Sequence, residues 1–155
     1  SSCSECLGKS NTMLYHSTAI EKFATLFYAV LNSKTDELTY SIAGHTPPVY
    51  MKADGSSKML ETGGTVLGFL EKVEFEQETL KLAPGDLIVV YSDGITEAGD
   101  HEDEYFEEWR LIETVKKHRN KPGKEIIDTI IREVLEFSEG GAQNDDMTLL
   151  IIKRE

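Results

Sequence analysis

Leu87-Ile88-Val89-Val90-Tyr91-Ser92-Asp93-Gly94 is an unbroken apolar run that ends in a hydroxyl, a carboxylate and a glycine. Side chains alternate between the two faces of a strand, so five consecutive apolar residues describe a central strand covered on both sides. Pro84-Gly85-Asp86 supplies the turn that leads into it. The end of a buried strand holds its first polar side chains rigidly, and a glycine lets the backbone turn close to a ligand. Asp93 therefore stands where a metal ligand would stand, although an Asp-Gly pair after a strand also serves as an ordinary turn.

Further along, Asn144-Asp145-Asp146 reverses this order, because the acids come immediately before the apolar, β-branched segment Met147 to Ile152. If that segment lies antiparallel beside Leu87–Tyr91, Asp93, Asp145 and Asp146 meet at one end of the sheet. Three carboxylates there repel one another unless a cation lies between them. Oxygen donors of this kind suit Mg²⁺ or Mn²⁺ rather than zinc. Read singly, Asp145 and Asp146 could equally cap a turn.

The remaining segments set the fold class. Ser10 to Ile20 reads as the tail of a helix or a loop, with Met13, Leu14 and Ile20 as packing groups. Phe23 to Leu31 is apolar at alternating and intervening positions, which predicts a buried strand followed by a hairpin; Leu38 to Ala43 returns, and Gly44-His45-Thr46-Pro47-Pro48 stops it. Val49–Ala53 and Lys58–Leu60 flank the hairpin turn Asp54-Gly55. Between Val73 and Leu82 the apolar positions change phase once, which predicts a bulge or two short strands. Phe106, Trp109, Ile112 and Val115 then recur at helical spacing, as do Ile126, Ile130, Val134 and Leu135, with Pro122-Gly123 between the sets and Gly140-Gly141 closing the second. Strands first and helices later define an α+β domain of layered, largely antiparallel sheet flanked by helices, with 1–155 as one domain.

Composition narrows the function. Twenty-eight acidic against 16 basic residues give a net charge of −12, which repels nucleic acid and anionic lipid at long range. No apolar run approaches the ~20 residues that cross a bilayer, and no basic segment leads an apolar stretch at the start. No nucleic acid, no membrane in this segment and a cytoplasmic location are therefore expected. Cys3 and Cys6 form one C-x-x-C without a second pair, and are read as reduced and incidental.

Five segments in order carry a resemblance. They are Phe23-Ala24-Thr25-Leu26-Phe27-Tyr28, Ala43-Gly44-His45-Thr46-Pro47-Pro48, Gly68 in a glycine-rich loop, Leu82 to Ala98 with its Pro-Gly-Asp and Tyr-Ser-Asp-Gly, and Gln143-Asn144-Asp145-Asp146-Met147-Thr148. From about Asn11 to the end the chain resembles the C-terminal part of the stage II sporulation protein E family (SpoIIE/RsbU) within the metal-dependent, protein phosphatase 2C-like (PPM) superfamily.

That resemblance implies an αββα sandwich and Mn²⁺ or Mg²⁺ as cofactor, two ions in the complete domain. It implies Asp93, with Gly94 beside it, and Asp145 and Asp146 as metal-site residues, Asp93 and Asp145 being also the catalytic pair. The implied reaction is hydrolysis of a phosphoserine or phosphothreonine on a signalling protein, such as an anti-sigma-factor antagonist, by metal-activated water. An upstream sensory domain in the parent chain is implied as well. The family's bridging aspartate and its glycine-histidine-glycine motif are not seen here, so the match is incomplete at its N-terminal side and half of the metal centre is missing from it. A different class of function stays open at this point: a catalytically silent module that binds a partner, or pairs as a homodimer, through an exposed helix face.

Other features have plainer readings. His45 is expected to fix its turn rather than to act as an acid, and Gly63 to Gly68 lacks the Lys-Ser/Thr of a nucleotide loop and reads as a tight loop. Asp100 to Glu104 reads as a solvated acidic loop, and Trp109 as core.

Overall fold

The computed structural model describes residues 2–19, 21–102, 104–138 and 145–155. Its elements run α1 (Cys3–Ser17), β1 (Leu26–Asn32), β2 (Glu37–Ala43), β3 (Val49–Met51), β4 (Ser57–Met59), β5 (Gly63–Gly64), β6 (Glu78–Lys81), β7 (Leu87–Tyr91), α2 (Asp93–Thr96), α3 (Glu107–His118), α4 (Gly123–Phe137) and β8 (Leu149–Lys153). The architecture is α+β. The chain divides into two compact units, Ser1–Pro47 with Glu61–Leu82, and Pro48–Leu60 with Ala83–Glu155.

In the first unit, α1 begins well ahead of the helix tail expected near Ser10. Ser2 and Glu5 form a reciprocal capping box, the Ser2 side chain accepting from the Glu5 backbone, and such a box satisfies two of the amides that a helix start leaves open. Leu7 packs with Ala43, Leu67 and Phe75, and Leu14 lies against the same cluster, whereas Met13 is exposed. Ile20 lies outside the described residues.

The β2 strand is the centre of this unit's sheet. It pairs with β1 along its whole length, and on its other side with β6 at Glu37–Tyr40 and, in parallel, with β5 at Ile42–Ala43. Among the described residues β1 is thus an edge strand, and the buried strand expected for Phe23–Leu31 is corrected: Phe23, Leu26, Val30 and Leu31 are exposed. Gly63 and Gly64 form a strand rather than a loop. A Cβ on Gly63 would lie 2.0 Å from the Ile42 carbonyl oxygen, so only glycine permits that approach. The phase change near Val73 is neither a bulge nor two strands. Only Glu78–Lys81 is a strand, and Phe75 leaves the ladder to join the core.

The second unit carries the sheet β4-β3-β7-β8, antiparallel throughout. Its hairpin turn has Gly55 at φ +89°, which glycine takes without steric cost. Leu87, Val89 and Tyr91 of β7, with Val49 and Met51 of β3, face Ile95, Phe106, Leu111, Val115, Ile126, Ile130 and Val134 in one core. Ile88, on the opposite face, is also fully buried. Burying an aliphatic side chain of this size contributes about 1.5–3 kcal/mol, which makes β7 the best-anchored strand of its sheet. Asp86 is buried in the turn ahead of it and accepts from Tyr50 Oη at 2.6 Å and from the Ala53 and Ala83 amides at 2.9 Å each.

Trp109 does not join the core; it is 55% exposed, with the Arg110 guanidinium 4.3 Å from its ring. The buried face of α3 is Leu111, Thr114 and Val115 instead. Gly140 and Gly141, expected to close α4, lie outside the described residues.

Candidate metal centre

β7 and β8 are antiparallel neighbours, with Tyr91 opposite Leu149 and Leu87 opposite Lys153. The residue after β7 and those before β8 therefore come out at the same end of the pair. Ser92 fastens that end. Its hydroxyl donates to the Asp146 carbonyl oxygen at 2.8 Å and accepts from the Thr148 amide at 2.9 Å, and its own amide donates to the Thr148 carbonyl at 3.1 Å. A serine at a helix N-cap ordinarily satisfies an amide of its own helix. Ser92 makes no such bond to α2, because its hydroxyl is committed across the strands.

Asp93 opens α2, and its Oδ1 accepts from the Gly94 amide at 3.0 Å. Its carbonyl takes the Glu97 amide at 2.8 Å, which closes the short helix. Gly94 is buried, and a Cβ placed on it would lie 2.6 Å from the Asp146 carbonyl oxygen and 3.1 Å from that of Asp145. The glycine is thus what allows the two acidic segments to touch. On the other side, Asp145 Oδ1 accepts from the Asp146 amide at 2.7 Å. Asp93, Asp145 and Asp146 are all exposed at this strand end, and water screens their mutual repulsion. Gln143 and Asn144, the first residues of the last matching segment, lie outside the described residues.

Exposed carboxylates at one strand end fit, in kind, the hard oxygen shell of Mg²⁺ or Mn²⁺. Among the described residues, no three His, Cys, Asp or Glu side chains, Asp93, Asp145 and Asp146 included, group to hold an ion.

Ser92 is the positioning residue that sequence reasoning passed over, since a serine after a strand reads only as a cap. Just inside it, Tyr91 is buried, and its Oη has no hydrogen-bond partner among the described residues. Burial, and then the nearby Glu108, push that phenol well above its ordinary value. In the first unit, His45 Nδ1 lies 2.7 Å from the Thr46 carbonyl oxygen within its turn. Asp100 folds the acidic loop on itself, its Oδ1 accepting the Glu102 and Glu104 amides; Asp103 lies outside the described residues. Cys3 and Cys6 are free, and Cys3 is buried in α1. No helix among the described residues is long and apolar enough to cross a membrane.

Together the elements and their order define a PP2C-type fold. The SiaA-PP2C domain of Pseudomonas aeruginosa superposes with a TM-score of 0.86 at 18% identity, over 99% of this chain and 61% of that one. The chain belongs to the Stage II sporulation protein E (SpoIIE) family, whose sequence model matches residues 1–155. Protein IcfG of Synechocystis sp. is 33% identical over 132 residues, 85% of this chain and 21% of that protein. Phosphoserine phosphatase RsbU of Bacillus subtilis is 30% identical over 153 residues, 98% of this chain and 45% of its own length. The chain thus spans less than half the length of these two curated relatives.

Proposed function

We propose that this chain is the metal-carrying C-terminal part of a protein serine/threonine phosphatase that removes phosphate from a signalling protein of the anti-sigma-factor-antagonist class. The observation that supports the reading is the contact between the backbone segments that carry Asp93 and Asp145–Asp146 at one end of β7 and β8, fastened by the Ser92 hydroxyl and permitted by Gly94. Family membership and the phosphoserine phosphatase among its relatives support the same reading.

Asp93 and Asp145 would hold Mn²⁺ or Mg²⁺ directly, with Asp146 beside them and Gly94 setting how closely they approach. A bound ion of this kind lowers the pKa of water and offsets the charge of a phosphate. The chain's own residues do the positioning. Rigid β7 presents Asp93, the Ser92 bridge holds the 145–146 segment against it, and the exposure of all three acids leaves the strand end open to a phosphorylated side chain. In an otherwise acidic molecule, charge compensation at this point is what would let a phosphate dianion approach.

The test is release of phosphate from a phosphoserine peptide by the full-length protein as Mn²⁺ is titrated in, alongside calorimetric Mn²⁺ binding. Asp93→Asn should lower both ion affinity and turnover by on the order of 100-fold, with the melting temperature unchanged. Equal turnover by the two proteins would sink the site assignment.

A further inference from the structure

Five of the chain's 16 lysines and arginines lie in the nine residues from Lys116 to Lys124, with no Asp or Glu among them. In a chain of net charge −12, this run is a local reversal of sign. It forms the corner between α3 and α4, and the corner is held by specific bonds. Lys153 of β8 donates to the carbonyls of Arg119 at 2.9 Å and Lys121 at 2.8 Å, while Arg119 donates to the carbonyls of Ala53 at 3.2 Å and Lys116 at 2.8 Å.

Helix stability explains only half of this run. Lys116, Lys117 and His118 end α3, where a helix C-terminus favours cations. Lys121 and Lys124 flank the first residue of α4, Gly123, where the helix dipole disfavours them. Ion pairing accounts for little more: Lys116 reaches Glu113 at 3.7 Å and Lys121 reaches Glu125 at 4.0 Å, all four side chains substantially exposed, and such pairs are weak.

The corner borders a groove of about 710 Å³ between α3 and α4. Lys116, Lys117 and Arg119 line one part of it, and Trp109 and Phe137 line another, with Arg110 held over both rings at 4.3 and 4.6 Å. Three acids line the same groove, Glu113 beside Lys116, Glu136 beside Arg132 at 3.8 Å and Glu133 accepting from the Thr114 hydroxyl, so the excess of cations belongs to the corner rather than to the whole groove.

We infer that the α3–α4 corner and its groove are a docking site for an acidic, leucine-bearing segment of a partner protein. Its carboxylates would meet Lys117, Arg119 and Lys124, and its apolar side chains would lie on Trp109 and Phe137. Charge decides the class of partner. A nucleic acid or an anionic membrane extends far beyond this corner and would face the acidic remainder of the chain, whereas a short acidic segment can place its carboxylates at the corner's five cations. The inference does not rest on the phosphatase reading, since the corner lies at the end of β8 away from Asp145 and Asp146.

The test is fluorescence anisotropy of a short fluorescein-labelled peptide of alternating Glu and Leu, at low and at physiological ionic strength. The unmodified chain should bind it, more weakly as salt rises. Lys117→Glu with Lys124→Glu should weaken binding about tenfold or more, with no loss of melting temperature, whereas the charge-matched pair Lys34→Glu with Lys72→Glu should bind like the unmodified chain. No binding by the unmodified chain, or equal weakening by the two pairs, would overturn the inference. So would tighter binding of single-stranded DNA or phosphatidylserine vesicles through the same lysines, or dimer sedimentation that the Lys117/Lys124 pair abolishes, which would make the occupant a second copy.

Discussion

Replacing Asp86 by alanine should cost far more than an average substitution. The carboxylate is only 3% exposed and accepts three hydrogen bonds, from the Tyr50 hydroxyl and the Ala53 and Ala83 amides. Without it, the buried Tyr50 hydroxyl loses its acceptor, which costs about 1–3 kcal/mol. The two amides are only partly buried and recover some of their loss from water, so they add about 1 kcal/mol together. Relief of the buried charge offsets a fraction of this, leaving a net loss of about 2–3 kcal/mol out of the ~5–15 kcal/mol typical of a domain. For a chain of this size that lowers the melting temperature by about 4–12 °C. Urea and thermal unfolding of Asp86→Ala, Tyr50→Phe and the double variant measure it. Tyr50→Phe alone should cost about 1 kcal/mol, but in the Asp86→Ala background it should cost nothing or stabilise, because it removes an unsatisfied hydroxyl. Additive effects, or a loss below about 1 kcal/mol for Asp86→Ala, would refute the reasoning.

Gly94→Ala should lose about 1–3 kcal/mol and weaken Mn²⁺ binding, because the new methyl would lie 2.6 Å from the Asp146 carbonyl oxygen; calorimetry on the folded variant showing unchanged affinity would contradict this. Tyr91→Phe should gain about 0.5–1.5 kcal/mol, since the hydroxyl it removes is buried without a partner among the described residues, and a clear drop in the urea midpoint would refute it. Stability should fall as pH rises above the ordinary tyrosine value of about 10. Burial, with Asp86 beside Tyr50 and Glu108 near Tyr91, raises both phenols in the folded state. Below that pH both states hold their protons; above it the unfolded chain ionises first, and the contribution is lost at up to about 1.4 kcal/mol per pH unit for each phenol. Urea midpoints that stay flat from neutral to strongly alkaline pH, or ultraviolet titration showing both phenols ionising at the ordinary value, would overturn this.

The sequence was most legible where one force dominated. β7 has no polar residue from Leu87 to Tyr91, so burial alone predicts it, and the antiparallel pairing with β8, which sets the end of the Asp93 segment beside the start of the Asp145–Asp146 segment, follows from acids placed after one strand and before another. It was least legible where polar residues satisfy themselves. The Thr129 hydroxyl donates to the Glu125 carbonyl, four residues back, at 2.7 Å, and the Thr114 hydroxyl shares its one proton between the Arg110 carbonyl, also four back, at 2.9 Å and the Glu133 carboxylate, so both threonines are buried like apolar groups. Counting Thr114 as polar turns the apparent face of α3 toward Trp109, which in the fold stacks on Arg110 outside the core. Asn11 hides α1 in the same way. It is buried, its amide donating to the Leu70 and Glu71 carbonyls and its oxygen accepting the Gly68 amide, and a polar residue at a core position breaks the helical period. β1 misleads in the opposite direction: its composition is that of a buried strand, but among the described residues it pairs on one side only, and Val30 and Leu31 are exposed. Composition reports the transfer energy of a side chain, whereas burial also depends on whether its polar atoms find partners and its strand finds neighbours. Both are decided by residues far away in the chain, and Ser92 is the sharpest case, since its hydroxyl reads locally as a helix cap and in the fold joins the two acidic segments of the candidate site.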